Sequence, residues 1–320
     1  MDTAESPAAQ FRAAQDTVLA ETGVATKASL IDVGVPPLQV QLLEAGSGVP
    51  VVMIHGGNSV AASWAPLLPR LSESFRLLMP DRPGCGLTTM FDYRGVDLRC
   101  HGSEFIGGVL DSLGLERVAL IGNSMGGFFA MAFAIDHPER VSALVLTGEP
   151  AGADGKPRLF HRLVGTRGIN GFLYATALRP AKDAAGARAG LMKGRLVAQP
   201  DRVSETLYEC FAAGARMPGA TRSWRTMVER AFVPAGLGLF ARRTTVTHAL
   251  LPQLGRLVAP TLLLWGDKDP LGTVETGRAI ADAMPNARLT VVRDASHLVW
   301  LDQPDFCADA IVDFMNASGE

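Results

Sequence analysis

A serine held between two glycines, in Gly122-Asn123-Ser124-Met125-Gly126, carries the chemistry most easily read from this chain. It stands where the apolar run Val118 to Ile121 meets a second one, Phe128 to Ala134. The first run reads as a buried strand and the second as a buried helix. A serine on such a strand-to-helix turn sits in strained backbone with its hydroxyl lifted above the sheet edge. The following helix points its first N–H groups at the same spot, where negative charge is stabilised. A serine hydroxyl alone is a poor nucleophile, so the pattern demands a base and an acid from elsewhere in the chain.

The elements around the serine alternate. Ser29 to Val35 and Gln39 to Glu44 suggest a hairpin of edge strands. Val51 to Ile54 and Arg76 to Met79 are short apolar runs of the kind buried in a parallel sheet. Trp64 to Leu71 reads as helical, and Ser103 as the cap of a helix through Leu113. Val141 to Thr147 is the next strand. From Ala151 to Thr245 the rhythm breaks into irregular helical segments with no clear strand. Thr261 to Trp265 restores it, followed by a helix over Thr273 to Met284, a strand over Arg288 to Val292 and a helix over Pro304 to Phe314. This alternation implies a parallel α/β sheet with an insertion. Residues 1–27 read as a helical or frayed arm, 28–150 and 246–320 as the core, and 151–245 as a helical cap.

Bulk properties narrow the function classes. With 320 residues, 48% of them hydrophobic, the chain can bury a large core. A net charge of −2 does not imply nucleic-acid binding. Cys85, Cys100, Cys210 and Cys307 lack C-x-x-C spacing, which argues against a zinc ribbon and a disulfide framework. There is no signal-peptide pattern and no apolar run near ~20 residues, so a cytoplasmic protein without a transmembrane segment is expected. Asp81-Arg82-Pro83-Gly84-Cys85-Gly86 imitates part of a dinucleotide loop, but position 89 is Thr where a third glycine would stand. No cofactor and no metal are expected. The segment 151–245 holds 16 Lys+Arg against 6 Asp+Glu. That excess suits an anionic small-molecule substrate, or simply a set of solvated helix faces.

Taken with His55-Gly56-Gly57, Trp265-Gly266-Asp267-Lys268-Asp269 and Ala295-Ser296-His297, the serine motif resembles the α/β-hydrolase family, specifically its capped members. The resemblance spans roughly Pro50 to Phe314, the cap excepted. It implies a mostly parallel eight-stranded sheet flanked by helices, with a helical cap after the sixth strand. It implies Ser124 as nucleophile, His297 as base and Asp269 as acid, in the chain order this fold uses. Glu149, at the end of the strand after the serine helix, is an alternative acid; Asp267 is a weaker one. The oxyanion hole would be the N–H groups of Gly57 and Met125. His55 would prop the loop through hydrogen bonds, and Asn58 would turn it or donate to it.

A serine at position 124 excludes the family's aspartate-dependent epoxide and halide chemistry. It fits acyl transfer to water, so a carboxylic-ester, lactone or thioester hydrolase is the first reading. Family hydrolases that cleave carbon–carbon bonds of anionic vinylogous diketo acids share the Gly-Asn-Ser-Met-Gly-Gly motif, but they carry Trp after the histidine where this chain has Leu298. That reading is the alternative, and a ligand-binding receptor with a vestigial site is a third.

Overall fold

A computed structural model describes residues 5–34, 37–152, 159–232, 234–235, 242–243 and 246–318. Parts of the expected arm and cap, and Val35 at the end of the expected first strand, lie outside the described residues. In chain order the strands are β1 (Thr26–Val33), β2 (Leu38–Ala45), β3 (Val49–Ile54), β4 (Phe75–Pro80), β5 (Val118–Asn123), β6 (Val141–Thr147), β7 (Pro234–Ala235), β8 (Arg242–Arg243), β9 (Thr261–Gly266) and β10 (Ala287–Val292). Eight of them form one sheet in the order β1-β2-β4-β3-β5-β6-β9-β10. The β1–β2 and β2–β4 pairs are antiparallel and every later pair is parallel.

The central strands are apolar along their whole length because both faces are covered. Alternation along each strand divides its side chains between two cores. Val51, Met53, Ala119, Ile121, Leu262 and Leu264 face one, together with Phe11, Trp64, Trp300 and Ile311. Val52, Ile54, Leu120, Leu263 and Trp265 face the other, against Phe105, Ile106 and the helix Met125–Asp136.

Several local expectations are corrected. The helix expected to be capped by Ser103 begins six residues earlier, at Leu98, and runs to Ser112. Asp97 caps it, its carboxylate accepting the Cys100 N–H at 3.0 Å, while Ser103 is buried inside. Residues Ala61–Leu67 wind as a 3₁₀ helix before a single α-helical turn over Leu68–Leu71. Of the two forms expected for the N-terminal segment, a helical or a frayed arm, its described residues take the helical one. Ser6 caps a helix over Pro7–Glu21, and Phe11, Val18 and Leu19 bury its inner face.

Between β6 and β9 the chain leaves the sheet and forms helices, including Ile169–Thr176, Ala184–Lys193, Glu205–Arg216 and Ala220–Ala231. The short β7–β8 ladder is a strand pair that the sequence pattern does not announce. This insertion is pinned to the body at several points. Phe91 and Tyr93 donate their N–H groups to Ser223 Oγ and Thr226 Oγ1 at 3.1 and 3.0 Å. The buried Asp302 carboxylate accepts the N–H groups of Ala198 and Gln199 from the insertion and of Ser296 from the loop before it. From the other side, the N-terminal helix lies along Glu205–Arg216, with Phe11 against Gly214 and Thr206 Oγ1 donating to Glu21 Oε2 at 2.6 Å.

Candidate active site

Ser124 occupies the turn between β5 and the helix Met125–Asp136 with φ 49° and ψ −117°, a conformation an L-residue adopts only under strain. The turn is made tight by its glycines. A Cβ on Gly126 would lie 2.1 Å from the Ile54 carbonyl oxygen at the end of β3. The serine is therefore pressed between β3 and its own helix, as the G-x-S-x-G spacing predicts.

His297 lies in the loop after β10 and is 3% exposed. Its Nδ1 is 2.9 Å from Asp269 Oδ2, and Asp269 lies beyond the end of β9. The same carboxylate accepts the Glu149 N–H at 3.0 Å through Oδ2 and the Leu271 N–H at 2.9 Å through Oδ1. Burial alone would raise the Asp269 pKa, but the His297 charge, its hydrogen bond and the two backbone donors outweigh that and hold it below the ordinary range. For His297, burial opposes protonation; the attraction of Asp269, its hydrogen bond and the more distant Glu149 prevail and raise the imidazole. With Asp269 ionised, Nδ1 carries the proton and Nε2 is left as an acceptor, the tautomer a general base needs.

The alternative acids are engaged differently. Glu149 is buried beside the pair, touching Asp269 through its N–H, with its carboxylate accepting the Gly152 N–H at 2.7 Å. Asp267 accepts the Ala295 N–H at 3.3 Å and so braces the loop. The hydrogen bond to the imidazole belongs to Asp269.

Ser124 and His297 are brought to one end of the sheet without a hydrogen bond between them among the described residues. What ties the two loops is Asn123. Its Nδ2 donates to the Thr147 carbonyl at 2.7 Å and reaches the His297 carbonyl at 3.5 Å. Catalytic hydrogen bonds often tighten only when substrate binds.

Met125 begins the helix after Ser124, so its N–H has no partner within that helix. Gly57 lies in the loop after β3, where a Cβ would sit 2.4 Å from the Trp224 ring of the insertion. One residue back, Gly56 is close to Ser124, its added Cβ falling 3.3 Å from Ser124 Cβ. The loop is held from beneath. His55 Nδ1 is 2.9 Å from the Gly56 oxygen, and His55 Nε2 accepts the Arg82 N–H at 2.9 Å. Burial, and then the nearby Arg82 charge, push the His55 pKa far down and keep it neutral. His55 thus props the loop. Arg82 and Trp224 are contributions that sequence reasoning misses. Arg82 is hidden within the turn motif after β4, and Trp224 sits in a segment with no motif to align.

A cleft beside this loop is walled by Asn58, Pro83, Tyr93, Phe211, Trp224 and Met227, among others, and among the described residues no Lys or Arg lines it. The insertion's arginines are largely occupied elsewhere. Arg222 pairs with Asp92, Arg225 donates to Asn170 and Arg230 to the Val96 carbonyl. Among the described residues, no helix is long and apolar enough to cross a membrane.

Comparison with known proteins identifies the fold and the family. A family model described as alpha/beta hydrolase fold matches residues 49–304. The 2-hydroxy-6-oxononadienedioate/2-hydroxy-6-oxononatrienedioate hydrolase 1 of Dechloromonas aromatica is 30% identical over 289 residues, covering 87% of this chain and 91% of that protein. Among solved structures, the 2-hydroxy-6-oxo-6-phenylhexa-2,4-dienoate hydrolase of Rhodococcus superposes with a TM-score of 0.73 at 22% identity, over 92% of this chain and 99% of the other. The carboxylesterase CesB of Bacillus subtilis gives 0.72 at 21% identity, over 97% and 98%. At these identities the two structures establish the shared fold.

Proposed function

We infer the reaction from one premise: the chain belongs to the alpha/beta hydrolase fold family and is a hydrolase. We propose that it uses Ser124 as nucleophile, His297 as base and Asp269 as acid to cleave a carbon–carbon bond in an anionic 2-hydroxy-6-oxo-dienoate. What carries this over the ester reading is the relative at 30% identity across most of both chains. A 2-hydroxy-6-oxo-dienedioate contains no ester, thioester or amide, so water can enter only across a carbon–carbon bond next to the ketone.

The residues account for the steps that follow ketonisation. The dienol first takes its keto form, its 2-hydroxyl proton moving to C5, which makes the bond between C5 and the 6-oxo carbon breakable. Ser124 Oγ adds to that carbonyl carbon while its proton passes to His297 Nε2. The carbonyl oxygen becomes an oxyanion, received by the N–H groups of Gly57 and Met125, each such donor being worth about 3–4 kcal/mol of barrier. The carbon–carbon bond then breaks. Its electron pair delocalises into the conjugated dienolate, and His297 returns the proton. Water attacks the acyl-serine with His297 as base, releasing a carboxylic acid and restoring the hydroxyl. Asp269 holds the imidazole in the productive tautomer and balances its charge.

Ester hydrolysis is the second reading, and two observations favour it. Leu298 replaces the Trp expected after the histidine, and among the described residues the cleft beside the Gly56–Gly57 loop is lined without a Lys or Arg. The two readings share the acyl-serine and differ in the leaving group. Mixing the protein with 2-hydroxy-6-oxo-dienoates should bleach their long-wavelength absorbance, and Ser124→Ala should abolish the bleaching. Rapid turnover of aryl esters with no bleaching across the dienoate set would overturn the carbon–carbon reading in favour of the ester one.

A further inference from the structure

Arg82 is fully buried, and no hydrogen bond joins it to a carboxylate among the described residues. Its guanidinium donates through Nε to the His55 carbonyl at 2.9 Å, through Nη2 to the Gly56 carbonyl at 2.7 Å and through Nη1 to Met227 Sδ at 3.3 Å. The Phe129 ring lies 5.7 Å from its central carbon. The neighbouring Asp81 turns its Oδ1 to the Ala61 N–H at 2.6 Å instead. Burying a charge this way is expensive unless the groups it touches need it.

The groups it touches are informative. Gly56 C=O and Gly57 N–H are the two ends of one planar, trans peptide, so a donor that pulls the carbonyl one way points the N–H the other. The Gly56 oxygen receives two donors, Arg82 Nη2 and the Nδ1–H of neutral His55. Each withdraws electron density through the amide and leaves its N–H more positive, as hydrogen-bonded chains polarise one another.

We propose that Arg82 is a positioning residue for the oxyanion site: its guanidinium clamps the His55 and Gly56 carbonyls, fixing and polarising the peptide whose Gly57 N–H receives the developing negative charge. The inference rests on the proposed roles of Ser124 and Gly57, but it is not a consequence of them. A neutral donor would satisfy the same carbonyls, whereas a cation adds stabilisation that grows as charge appears on the substrate oxygen.

The test uses full-length protein and an aryl trifluoromethyl ketone. Ser124 Oγ adds to the ketone carbon to give a tetrahedral hemiketal, and its hydroxyl proton passes to His297. The ¹⁹F signal of the adduct reports the hemiketal pKa. Arg82→Lys keeps the charge but reaches fewer acceptors, and Arg82→Gln keeps a donor without charge. Losing an oxyanion donor outright costs about 10²–10³ in kcat, so weakening one indirectly should cost about tenfold. The expected order of hemiketal acidity is wild type, Arg82→Lys, Arg82→Gln, spanning about tenfold in adduct affinity, with KM for substrate unchanged. A loss confined to KM and thermal stability, or equal hemiketal acidity in all three proteins, would overturn the role of Arg82 while leaving Ser124 in place. Absence of any adduct in the wild type would overturn the Ser124 reading and the Arg82 role with it. The two variants perturb the core differently, so one that folds suffices.

Discussion

Replacing Asp269 by Asn tests how the acid supports the base, and the structure sets the size of the effect. The carboxylate accepts three hydrogen bonds, from His297 Nδ1 and Glu149 N at Oδ2 and from Leu271 N at Oδ1. An amide can accept at only one of those positions. With its oxygen toward His297 it sets NH₂ against one donor, Leu271; reversed, it faces two. The first arrangement is favoured by one unpaired donor, about 1–3 kcal/mol. The imidazole then keeps its tautomer, and what is lost is the negative charge. A hydrogen bond to a charged group exceeds a neutral one by about 1–2 kcal/mol, so kcat should fall about 5–30-fold. This is well short of the loss of about 10⁴ seen where such a change inverts the tautomer. The acid limb of the pH profile should move as well. Asp269 raises the His297 pKa against burial, so without that charge burial prevails, the imidazole pKa falls and the limb shifts to lower pH. Steady-state kinetics of both proteins across the acidic range read both quantities. Unchanged kcat in Asp269→Asn, with the loss appearing in Glu149→Gln instead, would show that the acid is Glu149. A fall near 10⁴ would show that the amide sits reversed.

Contacts elsewhere set three more outcomes. Gly57→Ala places a Cβ 2.4 Å from the Trp224 ring, so activity should drop about 10²-fold as for loss of an oxyanion donor. Adding Trp224→Ala should restore a large part, and a double variant no better than the single would refute the clash. Asp302→Ala strands the N–H groups of Ala198, Gln199 and Ser296, and denaturant unfolding should show a loss of about 3 kcal/mol or more. Burial pushes the Asp81 carboxyl up to about 6, against backbone donors from Ala61 and Leu87. A raised carboxyl pKa favours the neutral form in the fold, so that contribution is full below the unfolded value and is lost as pH rises through about 6. From pH 4 to pH 7 the wild type should therefore lose about 2 kcal/mol of stability relative to Asp81→Asn, and a pH-independent difference would contradict it.

Features governed by strict local rules are legible in the chain itself. The turn at Ser124 needs glycines because β3 and the helix after the serine leave no space, and that requirement is written in three letters. The proposed acid and base announce themselves by following strands, Thr261–Gly266 for Asp269 and Ala287–Val292 for His297. Contacts between distant segments leave no such mark. Nothing near Arg82 says that its guanidinium crosses to the β3 loop, 26 residues away. Nothing near Asp302 says that it gathers N–H groups about 100 residues upstream. The start of the helix Leu98–Ser112 is hard to read because its first turn, Leu-Arg-Cys-His, has no clear period, and an interior Ser103 resembles a cap more than Asp97 does. The choice between the carbon–carbon and ester readings is hard to read for another reason. Motifs around the serine specify attack on a carbonyl, which both readings share, and carry no mark of the leaving group.

The helix Pro7–Glu21 precedes the sheet in sequence, yet it rests on Glu205–Arg216, deep within the insertion. A segment outside the proposed triad is thereby coupled mechanically to the insertion. Any displacement of Glu205–Arg216 would drag this leading helix along or peel it away. Shortening the chain at its beginning, or burdening that end with a bulky fusion, would be felt as altered rates of entry and exit while the reacting groups themselves stay in register.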